Sequence, residues 1–142
     1  MKKISVLFLF FLFSFQGVQA QISAGVYQNA QTTQIGIGSN PEKQLFGELR
    51  LLAGDVYNRY FGAEIIGQYT IRKSENYNLS GGIMVGLDDF ENGKVGIPIL
   101  LSLKPFENVR NFAFVLEATP YYMPELLYFR GNIGIRYTFG SN

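Results

Sequence analysis

The chain has 142 residues, room for one domain, with a formal net charge of +1 and no Cys, His or Trp. Near-neutrality gives no electrostatic footprint for nucleic acid. The missing Cys excludes disulfides and thiolate metal sites, and the missing His removes the commonest general base and imidazole ligand.

Residues 1–20 stand apart from the rest. Met1-Lys2-Lys3 is a positive start, Ile4 to Phe15 is an apolar run of twelve residues broken only by Ser5 and Ser14, and Val18-Gln19-Ala20 offers compact residues before a cut. This order predicts a secretory signal peptide over residues 1–20. The run is too short to span a hydrocarbon core, which needs about 20 apolar residues. The remainder, residues 21–142, has 10 basic and 11 acidic residues, a net charge of −1. No Cys follows the cut, which excludes a lipoprotein anchor, and no later apolar run has the length of a spanning helix.

From Gln21 onward, turn chemistry divides the chain into short aromatic and β-branched stretches, so the fold class is all-β. Strands are predicted near Gln21–Gln28, Gln34–Gly38, Gln44–Ala53, Tyr60–Arg72, Tyr77–Leu87, Lys94–Leu103, Asn111–Tyr122 and Leu127–Phe139. Between them lie Ser39-Asn40-Pro41, Asp55 to Asn58, Glu91-Asn92-Gly93, Lys104-Pro105 with Glu107-Asn108, and Met123-Pro124. Asn-Gly is a strong hairpin signal. Two prolines strain this reading, because proline cannot donate to a ladder. Pro98 should mark a bulge or a break, and Pro120 is expected to end its strand early.

Alternation is the central observation, since successive side chains of a strand point to opposite faces. In the sixth stretch Val95, Ile97, Ile99, Leu101 and Leu103 share one face. In the last, Phe129, Ile133, Ile135, Tyr137 and Phe139 oppose Arg130, Asn132, Gly134, Arg136 and Thr138. A soluble barrel turns its apolar face inward and a membrane barrel turns it outward. The polar face here is rich in Gly and Ser, and the lysines Lys43, Lys73, Lys94 and Lys104 fall at turns or strand ends. Soluble edge strands commonly carry Lys instead. The six mid-strand charges are Glu48, Glu64 and Glu117 with Arg50, Arg130 and Arg136, all on the polar face. Three acids against three arginines suit a charge network inside a narrow lumen, where an eight-stranded barrel has room only for side chains. Phe129 and Phe139 are ten residues apart. At ~3.3 Å per residue and a tilt of ~40° they span about 25 Å, the height of a lipid-facing band. The expected architecture is an antiparallel up-and-down transmembrane β-barrel of about eight strands.

The chain's end adds a more specific feature. Asn132-Ile133-Gly134-Ile135-Arg136-Tyr137-Thr138-Phe139 resembles the C-terminal assembly signal of bacterial outer-membrane barrels, with Asn132, Gly134, Tyr137 and Phe139 at its four places. Gly140-Ser141-Asn142 follow the aromatic that often ends such chains. In pattern, Gln21 to Phe139 is similar to the small OmpA/OmpX-type barrels. That resemblance implies an outer-membrane location, contact with outer-membrane lipid, and the barrel-assembly machinery as a partner during insertion. The predicted outward loops, near Asn29–Thr33, Asp55–Arg59, Asp88–Gly93 and Met123–Leu126, are all short and display little chain.

No chemistry for an enzyme is legible. Barrel enzymes that modify lipids generally use a His with a Ser, and this chain has no His. Asp88, Asp89 and Glu91 form an acidic cluster without the twelve-residue spacing of a calcium loop, and are read as a solvated hairpin tip. No cofactor or metal is expected. The expected role is non-enzymatic: structural, or partner-binding within a larger membrane complex. The alternative is a soluble periplasmic or secreted barrel that binds an apolar ligand on the Val95–Leu103 face.

Overall fold

The computed structural model describes residues 21–54, 61–89 and 92–140. The predicted signal peptide, the Asp55–Arg59 loop and Glu91 lie outside the described residues. Nine strand segments follow one another: β1 (Ile22–Gln28), β2 (Thr32–Gly38), β3 (Leu45–Gly54), β4 (Phe61–Lys73), β5 (Tyr77–Asp88), β6 (Asn92–Gly96), β7 (Ile99–Leu103), β8 (Phe112–Met123) and β9 (Leu126–Phe139). Every pairing is antiparallel, and β9 returns to pair with β1, so the sheet closes into an up-and-down barrel.

The wall has eight strands, because β6 and β7 are two halves of one strand, both lying between β5 and β8. The interruption is Ile97-Pro98. It is a break in the ladder without a change of register. Gly96 faces Met84 and Ile99 faces Gly81, three residues along on both strands; on the other side Gly96 faces Tyr121 and Ile99 faces Ala118. The Pro98 carbonyl still accepts from the Gly82 N–H, and the Pro120 carbonyl from the Ile97 N–H. Each proline removes one donor, and the surrounding bonds hold the register. Pro120 does not end its strand early, as β8 runs on to Met123.

The pairings also fix the stagger. From Ser23 the partners run through Gly38, Glu48, Ile66, Met84, Gly96 and Tyr121 to Tyr128. Tyr128 lies five residues beyond Ile133, whose partner Gln28 is itself five beyond Ser23. The circuit therefore closes with a shift of ten residues, which tilts the strands as closed barrels require. One bulge, at Ile71, interrupts the β4–β5 ladder near the end that holds both termini.

Alternation sets inside against outside. Ile35, Ile37, Ile65, Ile83, Ile97 and Ile133 are each at least 60 % exposed, whereas Arg50, Gln34 and Thr119 are wholly buried. This is the reverse of a soluble core. The interior is less uniformly small and polar than the sequence suggested: Phe46, Leu52, Ile66, Met84, Leu100 and Val115 also point inward. They fill the space that short polar side chains would leave.

Candidate functional site

The interior charges form two connected clusters. The central one is built on Arg50 of β3. Its guanidinium forks onto Glu117 of β8, with Nη1 to Oε1 at 2.9 Å and Nη2 to Oε2 at 2.6 Å. Its Nε–H donates to Glu48, two residues away on the same face of β3. The other Glu48 oxygen accepts from the Tyr27 hydroxyl at 2.6 Å and lies 3.5 Å from Arg136 Nη2. Arg136 also donates through Nε to the Tyr27 oxygen at 3.1 Å. The Arg50 guanidinium sits 3.9 Å above the Tyr27 ring, a desolvated cation–π contact. Glu117 is completed by Asn132 Nδ2 at 2.9 Å and Thr119 Oγ1 at 3.2 Å.

The second cluster lies toward the rim opposite the chain termini. Arg130 forks onto Glu64 with both bonds at 2.8 Å, and Lys94 Nζ bridges Glu64 at 2.9 Å and Asp88 at 2.6 Å. Arg130 also comes within 3.8 Å of Glu117, which links the two clusters. Glu48, Glu64, Asp88 and Glu117 thus face Arg50, Lys94, Arg130 and Arg136, four against four. Neutrality matters here, because an unpaired ion in a dry interior costs several kcal/mol.

All six mid-strand charges read from the sequence point into the lumen. Three further participants were missed. Lys94, taken as a strand-end lysine, is 3 % exposed; its parity with Gly96 and Pro98 was the available signal. Asp88 is a buried partner of Lys94 rather than part of a solvated tip. Tyr27 carries the central hydrogen bonds, and its parity with Ser23 and Gly25 was the signal there. Asp89, beside Asp88, accepts the Phe61 N–H.

A third ion cluster closes the end that holds the termini. Glu42, in the turn between β2 and β3, binds Lys104 at 3.0 Å and Lys73 at 3.3 Å and accepts from Asn78 at 3.2 Å. Lys104 is therefore buried rather than a free turn lysine. Burial pushes the Glu42 carboxyl up, but the Lys104 hydrogen bond and the charges of Lys104 and Lys73 outweigh it and hold it below the usual carboxylate range.

The four residues of the terminal motif divide between faces. Asn132 and Gly134 point inward, and Tyr137 and Phe139 point outward, with their rings edge-on at 5.0 Å. Gly134 lies opposite Tyr27, and the Tyr27 ring occupies the space a side chain at 134 would need. No group of three or more potential metal ligands occurs among the described residues.

The strand arrangement has a known counterpart. The chain is similar to the Yersinia pestis outer membrane protein Ail, whose backbone structure was determined in a phospholipid bilayer nanodisc. The TM-score is 0.53, over 84% of this chain and 98% of that one, at 12% identity. At that identity the likeness is one of fold. No family model and no curated protein matches the sequence.

Proposed function

We propose that this chain is an integral outer-membrane β-barrel, exported by residues 1–20 and inserted by the barrel-assembly machinery through Asn132, Gly134, Tyr137 and Phe139. Its role is non-enzymatic: it supports the envelope or serves as a subunit of a larger membrane complex. The observation that carries this reading is the inversion of the wall. Apolar side chains cover the outside while eight compensated charges fill the inside. A membrane barrel satisfies both conditions at once, since lipid solvates the outer face and ion pairing the inner one. Arg50, Met84 and Leu100 have no exposed surface, which supports a plugged lumen rather than an open pore. The ligand-binding alternative needs the Val95–Leu103 face inside, but Val95, Ile97 and Ile99 are about half exposed or more on the outer wall.

The test is fractionation of cells expressing the full chain, with the outer membrane run on SDS gels boiled and unboiled. The expected result is a band in that fraction whose mobility changes on boiling. A soluble periplasmic band without a shift would overturn the proposal.

A further inference from the structure

Gly131 of β9 lines two hollows, one on each side of the wall. The first is a groove of about 490 Å³ on the outer wall, lined by Ile99, Leu116, Ala118, Gly131 and Ile133. Ala118 lies opposite both Ile99 and Gly131, so the floor across β8 and β9 carries only a methyl group and a hydrogen. Phe129 and Ile133, 74 % and 68 % exposed, stand on either side of Gly131 as ridges. The second hollow, of about 440 Å³, lies inside the outward end, lined by Asn29, Tyr121, Tyr128, Arg130 and Gly131 among others.

On the β1 side of Gly131 the wall between the two hollows is low. β1 accompanies β9 only as far as Gln28 opposite Ile133, and the chain then turns back. Asn29 holds that turn by accepting the Gln31 and Thr32 N–H groups. β9 continues for seven more residues, to Leu126, with no described strand beside it on that flank. Arg130 lies in this stretch. Its side chain is nine-tenths buried and its two terminal nitrogens hold Glu64, but its buried Nε–H has no acceptor among the described residues.

We propose that the two hollows form a site for a single lipid of the outer leaflet, with one acyl chain in the groove and an oxygen-rich head over the low rim at Arg130 Nε. The inference rests on the membrane reading above. Depth supports it: Gly131 is two residues inward of Phe129, about 5 Å below the band edge at ~3.3 Å per residue and ~40° tilt. The groove continues inward past Leu116, the course an outer-leaflet chain takes. The occupant must be apolar along its length and rich in acceptors at its outward end. A phospholipid meets both requirements; an apolar side chain of another protein meets only the first.

The test uses the refolded barrel in detergent, offered palmitoyl lysophosphatidylglycerol or, separately, glycerol phosphate, with retained ligand counted by native mass spectrometry. Gly131→Leu fills the groove, and a Cβ at this position meets nothing nearer than the Glu117 carbonyl at 3.9 Å. Gly67→Leu is the control, an outward glycine of β4 with nothing within 4 Å of its Cβ. The expected result is one lysolipid on the wild type and on Gly67→Leu, retention weakened about tenfold or more in Gly131→Leu, and no retention of glycerol phosphate alone. Arg130→Lys, which keeps the charge facing Glu64 but removes Nε–H, should weaken retention while leaving the boiling shift intact. Equal retention by Gly131→Leu and the wild type would overturn the site, as would a change confined to oligomeric state. A boiling-shifted barrel that retains no lysolipid refutes this inference alone; a chain with no boiling shift refutes the membrane reading first.

Discussion

Arg50→Met should be the most damaging single change in the barrel interior. Arg50 is wholly buried and makes three bonds to carboxylates, two to Glu117 and one to Glu48, besides one to the Gln34 amide oxygen. Its loss affects the partners unequally. Glu48 keeps the Tyr27 hydroxyl and Arg136, whereas Glu117 keeps two neutral donors and an Arg130 nitrogen at 3.8 Å. Stranding one member of a buried pair costs about 3–5 kcal/mol. Protonation sets a ceiling: neutralising an ordinary glutamate of pKa ~4.3 at pH 7 costs roughly 3.7 kcal/mol. The expected loss is therefore about 3 kcal/mol. Combining Arg50→Met with Glu117→Gln removes both charges and should recover at least about 1 kcal/mol relative to additive singles. The assay is urea unfolding in lipid vesicles, followed by the boiling-sensitive gel shift. An Arg50→Met loss below about 0.5 kcal/mol, or strict additivity in the double variant, would refute the paired-lumen argument.

Three further outcomes are expected. Lys94→Met, which leaves Glu64 and Asp88 without their shared cation, should cost about 2–3 kcal/mol in the same assay, against less than about 1 for the half-exposed Lys73→Met. Glu42 is held below its unfolded range, so its stabilisation is present above the unfolded pKa and lost as pH falls through the lower folded one. Because Glu42 is over a third exposed, solvent screening limits this to a few tenths of a kcal/mol; wild type should lose slightly more stability than Glu42→Gln between neutral and acid pH. Gly134→Ala should impair refolding into pure lipid vesicles, where no assembly machinery is present, because its methyl group collides with the Tyr27 ring. Unimpaired refolding would leave recognition by the machinery as that glycine's main role.

Much of this architecture was legible in one dimension. Period-two alternation placed each strand within about two residues and sorted Glu48, Arg50, Glu64, Glu117, Arg130 and Arg136 onto one face, because side-chain direction in a strand is fixed by parity alone. Parity cannot say which acid meets which base. Arg50 finds Glu117 across 67 residues and Arg130 finds Glu64 across 66, and those meetings depend on ring closure and its ten-residue stagger. Lys94 and Asp88 looked like turn residues because they flank a turn in sequence; in the sheet Lys94 faces Gly86 and Gly86 faces Glu64, so the Lys94 ammonium reaches across the bare glycine to Glu64 and holds Asp88 as well. Pro98 and Pro120 looked like strand breakers, yet the ladders on both sides keep the register at the cost of single donors. The low rim beside β9 follows from β1 and β2 being short where their neighbours are long, a comparison that exists only once strands distant in sequence stand side by side. Parity is a property of the local backbone and is written in the sequence; pairing, level and stagger are properties of the closed sheet, decided by all the strands together.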